Sequence, residues 1–382
     1  MIRKKYLAEI NHAFKINPVV ALLGPRQCGK TTLAQQYTKT LNEEFHQFDL
    51  EDPEDLAALK NPKLLFSELT GTIVLDEIQR MPEIFPFLRT LVDKEKRKRK
   101  ILILGSASKE LIQQSSESLA GRISYIEITP FTYNEISKKD QSKLWHRGGF
   151  PLSFLSDTEE ESYGWRKSYI STFLERDIPS LGVKIPATTM RRFWQMVAHY
   201  QGQIVNYSEI GRSFGANDKT IRNYLDILTE TFMIRQLQPW HENIKKRQVK
   251  RPKIYFRDSG IFHSMLTIET KRALLSHPKL GASWEGFALE QVLKHFNIES
   301  EDVYFWAVHE QGELDLFFQK DGKKIGVEFK FTSSPEYTKS MDFSLKNLKL
   351  DLLICINTGE KNFSLSSNVI ACGLNKMGEI SL

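Results

Sequence analysis

One segment near the N-terminus combines glycines, a lysine and hydroxyl residues at spacings that can bind phosphate groups. It matches the pattern G-x-x-x-x-G-K-[ST] and consists of Gly24, Pro25, Arg26, Gln27, Cys28, Gly29, Lys30 and Thr31, followed by Thr32. The glycines allow backbone N–H groups to turn inward around a β-phosphate, and the start of the following helix adds a positive partial charge. Lys30 is expected to reach the β- and γ-phosphates, and the Thr31 hydroxyl to bind Mg²⁺. The pattern therefore predicts a P-loop nucleotide site.

Two adjacent acids follow a second apolar run. Residues 72–75 read Thr-Ile-Val-Leu, and Asp76 and Glu77 come directly after them. Because a buried parallel strand presents its carboxyl end to the nucleotide, Asp76 is expected to hold Mg²⁺ through water. Glu77 is expected to orient or deprotonate the attacking water.

Two further residues are candidates for sensing the γ-phosphate. Ser106 ends the apolar run 101–104 with Gly105, where a polar side chain could touch the γ-phosphate or the attacking water. Arg122 follows soon after and could act as an arginine finger, either on its own nucleotide or on that of a neighbouring copy. A purely structural role for Arg122 remains the alternative.

A third set of polar residues lies near the C-terminus. Asp315 is followed by Glu328 and Lys330 on the next strand-like run, with Glu285 or Glu290 on the preceding helix. This D…E-x-K pattern resembles restriction-endonuclease-like folds, in which two carboxylates hold a divalent ion and the lysine polarises the attacking water or the phosphate. The residues could form an active metal-dependent nuclease, or belong to a retained fold that binds DNA without cutting or uses them structurally.

The positive charge of the chain is concentrated in two short segments. The 382 residues carry 53 Lys and Arg against 47 Asp and Glu, a net charge of +6, and segments 94–100 and 241–253 each contribute +5. These segments are either solvated loops or contacts to a phosphate backbone. The candidate DNA contacts are Lys245, Lys246, Arg247, Lys250 and Arg251.

Composition excludes several other classes of protein. With 41% hydrophobic residues the chain is neither disordered nor collagen-like. No apolar run approaches the roughly 18 residues that cross a bilayer. Three cysteines are too few and too scattered for a disulfide framework or a zinc site. We therefore expect a cytoplasmic protein without membrane contact.

The elements that must position these residues can be predicted from apolar periodicity. Five strand-like runs alternate with helical stretches in the first 130 residues, at 18–23, 45–50, 72–75, 101–104 and 124–128, which is typical of a parallel α/β sheet. Helices predicted at 189–200, 208–214 and 219–232 have the spacing of a winged helix-turn-helix, with 245–253 at the wing. Such a three-helix unit can also serve as a lid or a protein-docking module. The remainder predicts a helix at 281–296 and strands at 303–308, 313–319, 325–331 and 350–357.

Several motifs together resemble one bacterial and archaeal family of predicted AAA-type ATPases. They are Gly24-Pro25-Arg26-Gln27, Leu75-Asp76-Glu77-Ile78-Gln79, Gly105-Ser106, Ala120-Gly121-Arg122, Pro130-Phe131, Leu174-Glu175-Arg176-Asp177-Ile178, Pro252-Lys253-Ile254-Tyr255-Phe256, Asp258-Ser259-Gly260 and Glu313-Leu314-Asp315. The resemblance covers nearly the whole chain and implies that the nucleotide is ATP. It also implies an ATPase module joined to a winged-helix region and a C-terminal domain of unknown function that is thought to be related to restriction endonucleases.

The predicted fold class is α/β, with three domains. Residues 1–135 form an AAA-type P-loop NTPase domain with a parallel sheet, 136–265 a helical and winged-helix domain, and 266–382 a mixed α/β, restriction-endonuclease-like domain. The leading hypothesis is that hydrolysis of Mg-ATP moves a C-terminal half that contacts DNA, because loss of the γ-phosphate removes contacts to Ser106 and Arg122. An ATP-gated switch for a protein partner and an ATP-regulated nuclease are the alternatives. A homo-oligomer is compatible with each of them.

Overall fold

A computed structural model describes residues 1–94, 99–106, 115, 117–242, 248–309 and 311–382. Three of the predicted DNA contacts, Lys245, Lys246 and Arg247, lie outside the described residues. The chain divides into an N-terminal unit, Met1–Pro130 with Glu230–Phe232, and a C-terminal unit, Phe131–Thr229 with Met233–Leu382.

The N-terminal unit contains the parallel sheet predicted from the sequence. Its strand order is β2-β3-β4-β1-β5, so that β4 lies between the P-loop strand and the acidic strand. β1 and β3 are buried along their whole lengths, which explains their continuous apolar sequences. The strands are β1 (Val19–Gly24), β2 (Phe45–Asp49), β3 (Thr72–Asp76), β4 (Ile101–Ser106) and β5 (Ile123–Glu127).

Helices connect these strands and cover the sheet. The helix after β1 begins at Lys30, directly behind the P-loop, and two short helices begin at the N-cap residues Asp52 and Asn61. The helices are α1 (Lys4–Ile16), α2 (Lys30–Thr38), α3 (Pro53–Ala58), α4 (Pro62–Glu68) and α5 (Phe85–Lys94).

The first part of the C-terminal unit is helical. The three helices expected in the middle of the chain are present, and the Asn217 side chain caps the third by accepting the Thr220 N–H at 2.9 Å. A π-helical turn, Phe173–Asp177, follows the longest helix of this part. The helices are α6 (Gln141–Arg147), α7 (Pro151–Phe154), α8 (Glu159–Thr172), α9 (Ile178–Ser180), α10 (Ala187–Ala198), α11 (Tyr207–Phe214) and α12 (Asp218–Glu230).

A nine-stranded mixed sheet runs through the C-terminal unit in the order β13-β14-β12-β11-β10-β9-β7-β8-β6. β6, β8 and β7 are antiparallel, and β7 then pairs in parallel with β9 through Gln238 and Tyr304. The sheet therefore continues across residue 265, where the sequence analysis placed a domain boundary. The strands are β6 (Gln203–Ile204), β7 (Ile234–Pro239), β8 (Lys253–Phe256), β9 (Val303–Val308), β10 (Gly312–Lys320), β11 (Lys323–Lys330), β12 (Leu352–Asn357), β13 (Phe363–Ser366) and β14 (Val369–Gly373).

Four helices complete this unit: α13 (Ser259–Met265), α14 (Lys271–Leu275), α15 (Leu280–Phe296) and α16 (Lys339–Leu348). One face of α15, with Phe287, Ala288 and Val292, packs into a core shared with β9, β10 and β11. Among the described residues, none of the helices has the length and apolar character needed to cross a membrane.

Candidate functional site

The P-loop connects the end of β1 to the start of α2, and two glycines permit its path. A Cβ atom on Gly24 would lie 2.1 Å from the carbonyl oxygen of Ile128, so a larger residue cannot fit there. Gly29 is the N-cap of α2 and has φ +96°, a conformation that L-residues rarely adopt. The loop therefore leads directly into the N-terminal end of α2, where backbone N–H groups can bind an anion.

Two side chains of the loop have environments that sequence alone could not define. The buried ammonium group of Lys30 donates hydrogen bonds to the carbonyl oxygens of Gly24 at 3.0 Å and Pro25 at 2.9 Å. The Cys28 thiol is buried against Ile128, and burial raises its pKa. The Cys28 thiol is therefore not exposed beside the phosphate site.

Thr31 and Asp76 meet across the site. The Thr31 hydroxyl donates to Asp76 Oδ2 at 2.7 Å, and Asp76 is almost fully buried at the end of β3. A hydroxyl and a carboxylate are hard oxygen donors, which suit Mg²⁺. The structure thus brings together the two residues expected to hold the metal.

Glu77 follows Asp76 in a left-handed conformation with φ +54°. Its N–H donates to Asp76 Oδ1 at 2.9 Å, and its carboxylate accepts a hydrogen bond from the Gln79 side-chain amide. Gln79 therefore positions Glu77. The sequence contained this residue within a quoted motif but gave no reason to assign it a role.

The two candidate sensors occupy opposite ends of the sheet. Ser106 is the last residue of β4 and lies opposite Gly24 in the parallel register, beside the P-loop. Arg122 precedes β5, and its carbonyl accepts the N–H of Val19 at 3.1 Å, at the opposite end of β1 from the P-loop. β1 spans about 17 Å between these ends, more than an arginine side chain can reach.

Arg122 is instead paired with Asp93. Its Nε and Nη2 atoms lie 2.6 and 3.0 Å from the two carboxylate oxygens, and this hydrogen bonding raises the pKa of Arg122. The geometry therefore corrects the prediction that Arg122 acts as an arginine finger on the nucleotide of its own chain. Action on a neighbouring copy stays a prediction.

The C-terminal D…E-x-K residues are brought together around a buried lysine. We call Glu285, Glu313, Asp315 and Glu328, with Lys253 and Lys330, the acidic cluster. The Lys253 ammonium, from β8, contacts Glu313 and lies 3.3 Å from Asp315 Oδ1 and 3.8 Å from Glu285 Oε1. Lys330 Nζ lies 3.0 Å from Glu328. Glu290, the other helical candidate, is paired with Arg235 at 2.6 Å.

Protonation in the acidic cluster is shifted by burial and by mutual repulsion. Burial and the nearby Asp315 raise the pKa of Glu328 to about 8 and that of Glu285 to about 7. Burial alone would lower the pKa of Lys253, but the surrounding Tyr255, Asp315 and Glu285 raise it well above its usual value. The cluster therefore holds a permanent internal cation, together with two glutamates that bind protons near neutral pH.

A divalent ion does not fit the acidic cluster in this arrangement. The Lys253 ammonium already contacts three of the carboxylates that would have to bind the ion. Across the described part of the chain, no group of three or more His, Cys, Asp or Glu side chains could hold a metal ion. The sequence did not indicate that Lys253 contacts these carboxylates, because this residue belongs to the basic segment 241–253, which is typical of a surface.

The remaining predicted DNA contacts lie beside a large cavity. Lys250 and Arg251 are exposed, and Arg251 donates to the Asn206 side chain at 3.1 Å. Both line a cavity of about 800 Å³, which we call the wing cavity, together with His199, Tyr200 and His309. With two cations and two histidines against one carboxylate, Glu209, this surface of the C-terminal unit suits an anionic ligand.

Models of three protein families match successive parts of the chain. An AAA domain matches residues 16–137, a domain of unknown function (DUF8612) matches 138–272, and another (DUF4143) matches 280–377. The P-loop, Asp76, Glu77, Ser106 and Arg122 all fall within the AAA match.

Three relatives of known sequence are similar over most of their length. The uncharacterized proteins Rv2008c of Mycobacterium tuberculosis and Mb2031c of Mycobacterium bovis are each 45% identical over 97% of this chain and 83% of their own. The uncharacterized protein MJ1544 of Methanocaldococcus jannaschii is 24% identical over 88% of this chain and 80% of its own.

Solved structures of ATPases are also similar in part. A Walker-type ATPase of Pyrococcus abyssi is 14% identical, covers 69% of this chain and 95% of its own, and has a TM-score of 0.44. The RuvB Holliday junction branch migration motor of Thermotoga maritima is 17% identical, covers 61% and 88%, and has a TM-score of 0.29.

Proposed function

We propose that this chain, which belongs to the same family as the mycobacterial proteins Rv2008c and Mb2031c, binds ATP at its P-loop, hydrolyses it with Mg²⁺, and uses the turnover to control a DNA-interacting C-terminal half. The chain contains an AAA-type P-loop domain. The observation that carries the proposal is the contact between Thr31 and Asp76 beside the buried Lys30 ammonium, with Glu77 adjacent.

Each residue of the site has a distinct task in this reaction. The backbone of the P-loop and Lys30 bind the phosphates, and Thr31 and Asp76 hold Mg²⁺, which neutralises charge on the phosphate oxygens. Glu77, oriented by Gln79, takes a proton from the attacking water while the water oxygen forms a bond to the γ-phosphorus. The bond to the β–γ bridging oxygen then breaks, leaving ADP and inorganic phosphate. Ser106, beside Gly24, contacts the γ-phosphate and loses this contact upon hydrolysis.

Features of the C-terminal unit support DNA as the partner. α10, α11 and α12 with the β6-β8-β7 sheet follow the order of a winged helix-turn-helix, which we propose binds duplex DNA. The exposed Lys219 and Arg222 lie on α12, the helix that would enter the major groove. Lys250 and Arg251 lie in the connection between β7 and β8, where a wing contacts the phosphate backbone.

The primary test measures phosphate release from Mg-ATP with and without duplex DNA. We expect duplex DNA to accelerate release, Lys30→Ala to abolish it, and Glu77→Gln to lower it by about 100-fold or more, since a general base contributes that much. Lys39→Ala and Glu68→Gln alter the exposed residue that caps the end of α2 and the exposed last residue of α4, and serve as matched controls.

Other outcomes would redirect the proposal. Turnover that DNA does not change would favour the ATP-gated switch for a protein partner. Wild-type activity in Glu77→Gln would refute the role given to that residue. Metal-dependent cleavage of DNA that is lost in Asp315→Ala would support the nuclease alternative, which the position of Lys253 disfavours.

A further inference from the structure

A second cavity in the C-terminal unit, of about 330 Å³, is lined on one side by aromatic rings. We call it the aromatic pocket. Three of its rings are in mutual contact: the Trp145 and Trp284 centroids are 5.4 Å apart, and the Phe331 centroid lies 5.5 Å from Trp145 and 5.9 Å from Trp284. The aromatic lining residues are Tyr133, Trp145, Trp284, Phe287 and Phe331.

The aromatic side of the pocket combines a fixed floor with one accessible ring. Trp145, Trp284 and Phe287 are each at least 93% buried and belong to the hydrophobic core, whereas Phe331 is 40% exposed. A partly exposed ring over a rigid aromatic floor can stack on a flat ligand without first repacking the core.

Polar residues also line the pocket. They include Asn357, Thr358 and Asn375, and Lys138 and Glu360 add one charge of each sign. The segment that follows β12 is held in place because the Asn357 side chain accepts a hydrogen bond from the Gly359 N–H at 2.7 Å and donates one to the Cys355 carbonyl at 3.2 Å. The pocket thus combines polar and aromatic lining residues.

One donor in the wall has no partner. The Trp284 side chain is 93% buried, and its Nε1–H finds no acceptor among the residues that the structure describes. By contrast, Trp145 Nε1 donates to the Ser283 hydroxyl at 3.0 Å. A buried donor without an acceptor is costly to the folded state.

The pocket adjoins the acidic cluster along three elements. Trp284 precedes Glu285 on α15, Phe331 follows Lys330 at the end of β11, and Asn357 is the parallel register partner of Lys330 on β12. The pocket and the acidic cluster therefore contain residues that are adjacent in sequence or in strand register.

We propose that the aromatic pocket binds one unpaired nucleobase of a single-stranded nucleic acid. A nucleobase has a flat face that stacks on Phe331 and edge groups that can hydrogen-bond with the exposed side chains of Asn375 and Lys138. A purely apolar ligand would make no use of these two side chains, and a base pair in a duplex has no exposed face to insert. Because Lys253 occupies the acidic cluster, the pocket captures the strand without cutting it.

This inference rests on the proposed DNA interaction of the C-terminal half, but it concerns a different surface from the winged-helix region. Stacking on Phe331 contributes only to single strands, whereas Lys250 and Arg251 contact the phosphates of any duplex. Variants at Phe331 can therefore fail or succeed independently of duplex binding and of ATP turnover.

The test measures fluorescence anisotropy of the full chain with a labelled oligothymidylate of about ten residues and with a blunt duplex. We expect Phe331→Ala to weaken single-strand binding by about tenfold or more and to leave duplex binding unchanged, since stacking contributes about this much per base. Phe331→Trp should retain binding because it keeps the stacking surface. Phe363→Ala is the matched control, since Phe363 is 39% exposed on β13 and does not line the pocket.

A competition with thymidine 5′-monophosphate identifies the source of the base. If thymidine 5′-monophosphate displaces the oligonucleotide from the wild type when both are present at equal concentration, the pocket binds free nucleotides. If it does not displace the oligonucleotide, the pocket binds a base within a strand. Single-strand binding that is unaffected by Phe331→Ala, or lost equally for single strand and duplex, would overturn the inference. Duplex-stimulated ATP turnover with no single-strand binding would overturn it while leaving the proposed function intact.

Discussion

At the scale of single residues, Lys253 shows how a neighbourhood changes the meaning of a charge. It belongs to a run of basic residues, yet it is 1% exposed, and its ammonium lies among carboxylates from α15 and β10. Its closest contacts come from residues more than 30 positions away, beyond the reach of any local pattern. Glu285, Asp315 and Glu328 could be proposed from the sequence because a known pattern links them, but the lysine that neutralises them could not.

We predict that Lys253→Met strongly destabilises the C-terminal unit. Removing one partner from a buried ionic group leaves uncompensated charge, which costs about 3–5 kcal/mol. All six tryptophans lie between positions 145 and 306 in this unit, so that urea unfolding followed by tryptophan fluorescence reports it selectively. Lys339→Met, at an exposed position, should change the free energy of unfolding by less than about 0.5 kcal/mol. Equal stability of the two variants would show that the carboxylates do not depend on the ammonium.

At the scale of elements, the N-terminal sheet could be predicted because each strand is encoded locally. The runs before Gly24, Asp76 and Gly105 are almost entirely apolar, as is typical of buried parallel strands, and a glycine or an acidic residue ends each of them. Asn217 could likewise be proposed as a cap because a cap is a local contact. The parallel pairing of Gln238 with Tyr304 could not be predicted, since it joins segments 66 residues apart with no local signal.

The wing is the element at which DNA binding can be tested by charge alone. We expect Lys250→Ala/Arg251→Ala to weaken duplex binding at all sequences and to reduce the slope of log affinity against log salt by about 2, since each phosphate contact contributes about 0.9. Lys63→Ala/Lys339→Ala removes the same charge from exposed positions elsewhere and should leave the slope nearly unchanged. A slope that falls equally in both variants would mean that binding follows net charge and not the wing.

At the scale of the whole molecule, two sets of buried groups give stability opposite dependences on pH. Burial lowers the pKa of His146 to about 4 and of His263 to about 3, so their neutral forms stabilise the fold above about pH 6.5, and this is lost as the pH falls. Glu285 and Glu328 have raised pKa values and stabilise the fold as protonated acids. Their contribution is complete below about pH 4.5 and is lost as the pH rises through about 7 and about 8. Stability should therefore be greatest in weakly acidic solution.

Between about pH 6.5 and 8.5 the two glutamates make the larger change, because the histidines are neutral in the folded state and are already at least half deprotonated in the unfolded state. We expect the free energy of unfolding of the wild type to fall by roughly 2 kcal/mol over this range through Glu328 alone, with a smaller loss through Glu285. Glu328→Gln should remove most of this slope because an amide does not titrate, although Asp315, Lys330 and Lys253 still surround it. Glu336→Gln, at an exposed position, should keep the wild-type slope. A slope that persists in Glu328→Gln would mean that Glu328 is already ionised at neutral pH, and the acidic cluster would then hold more negative charge than Lys253 and Lys330 neutralise.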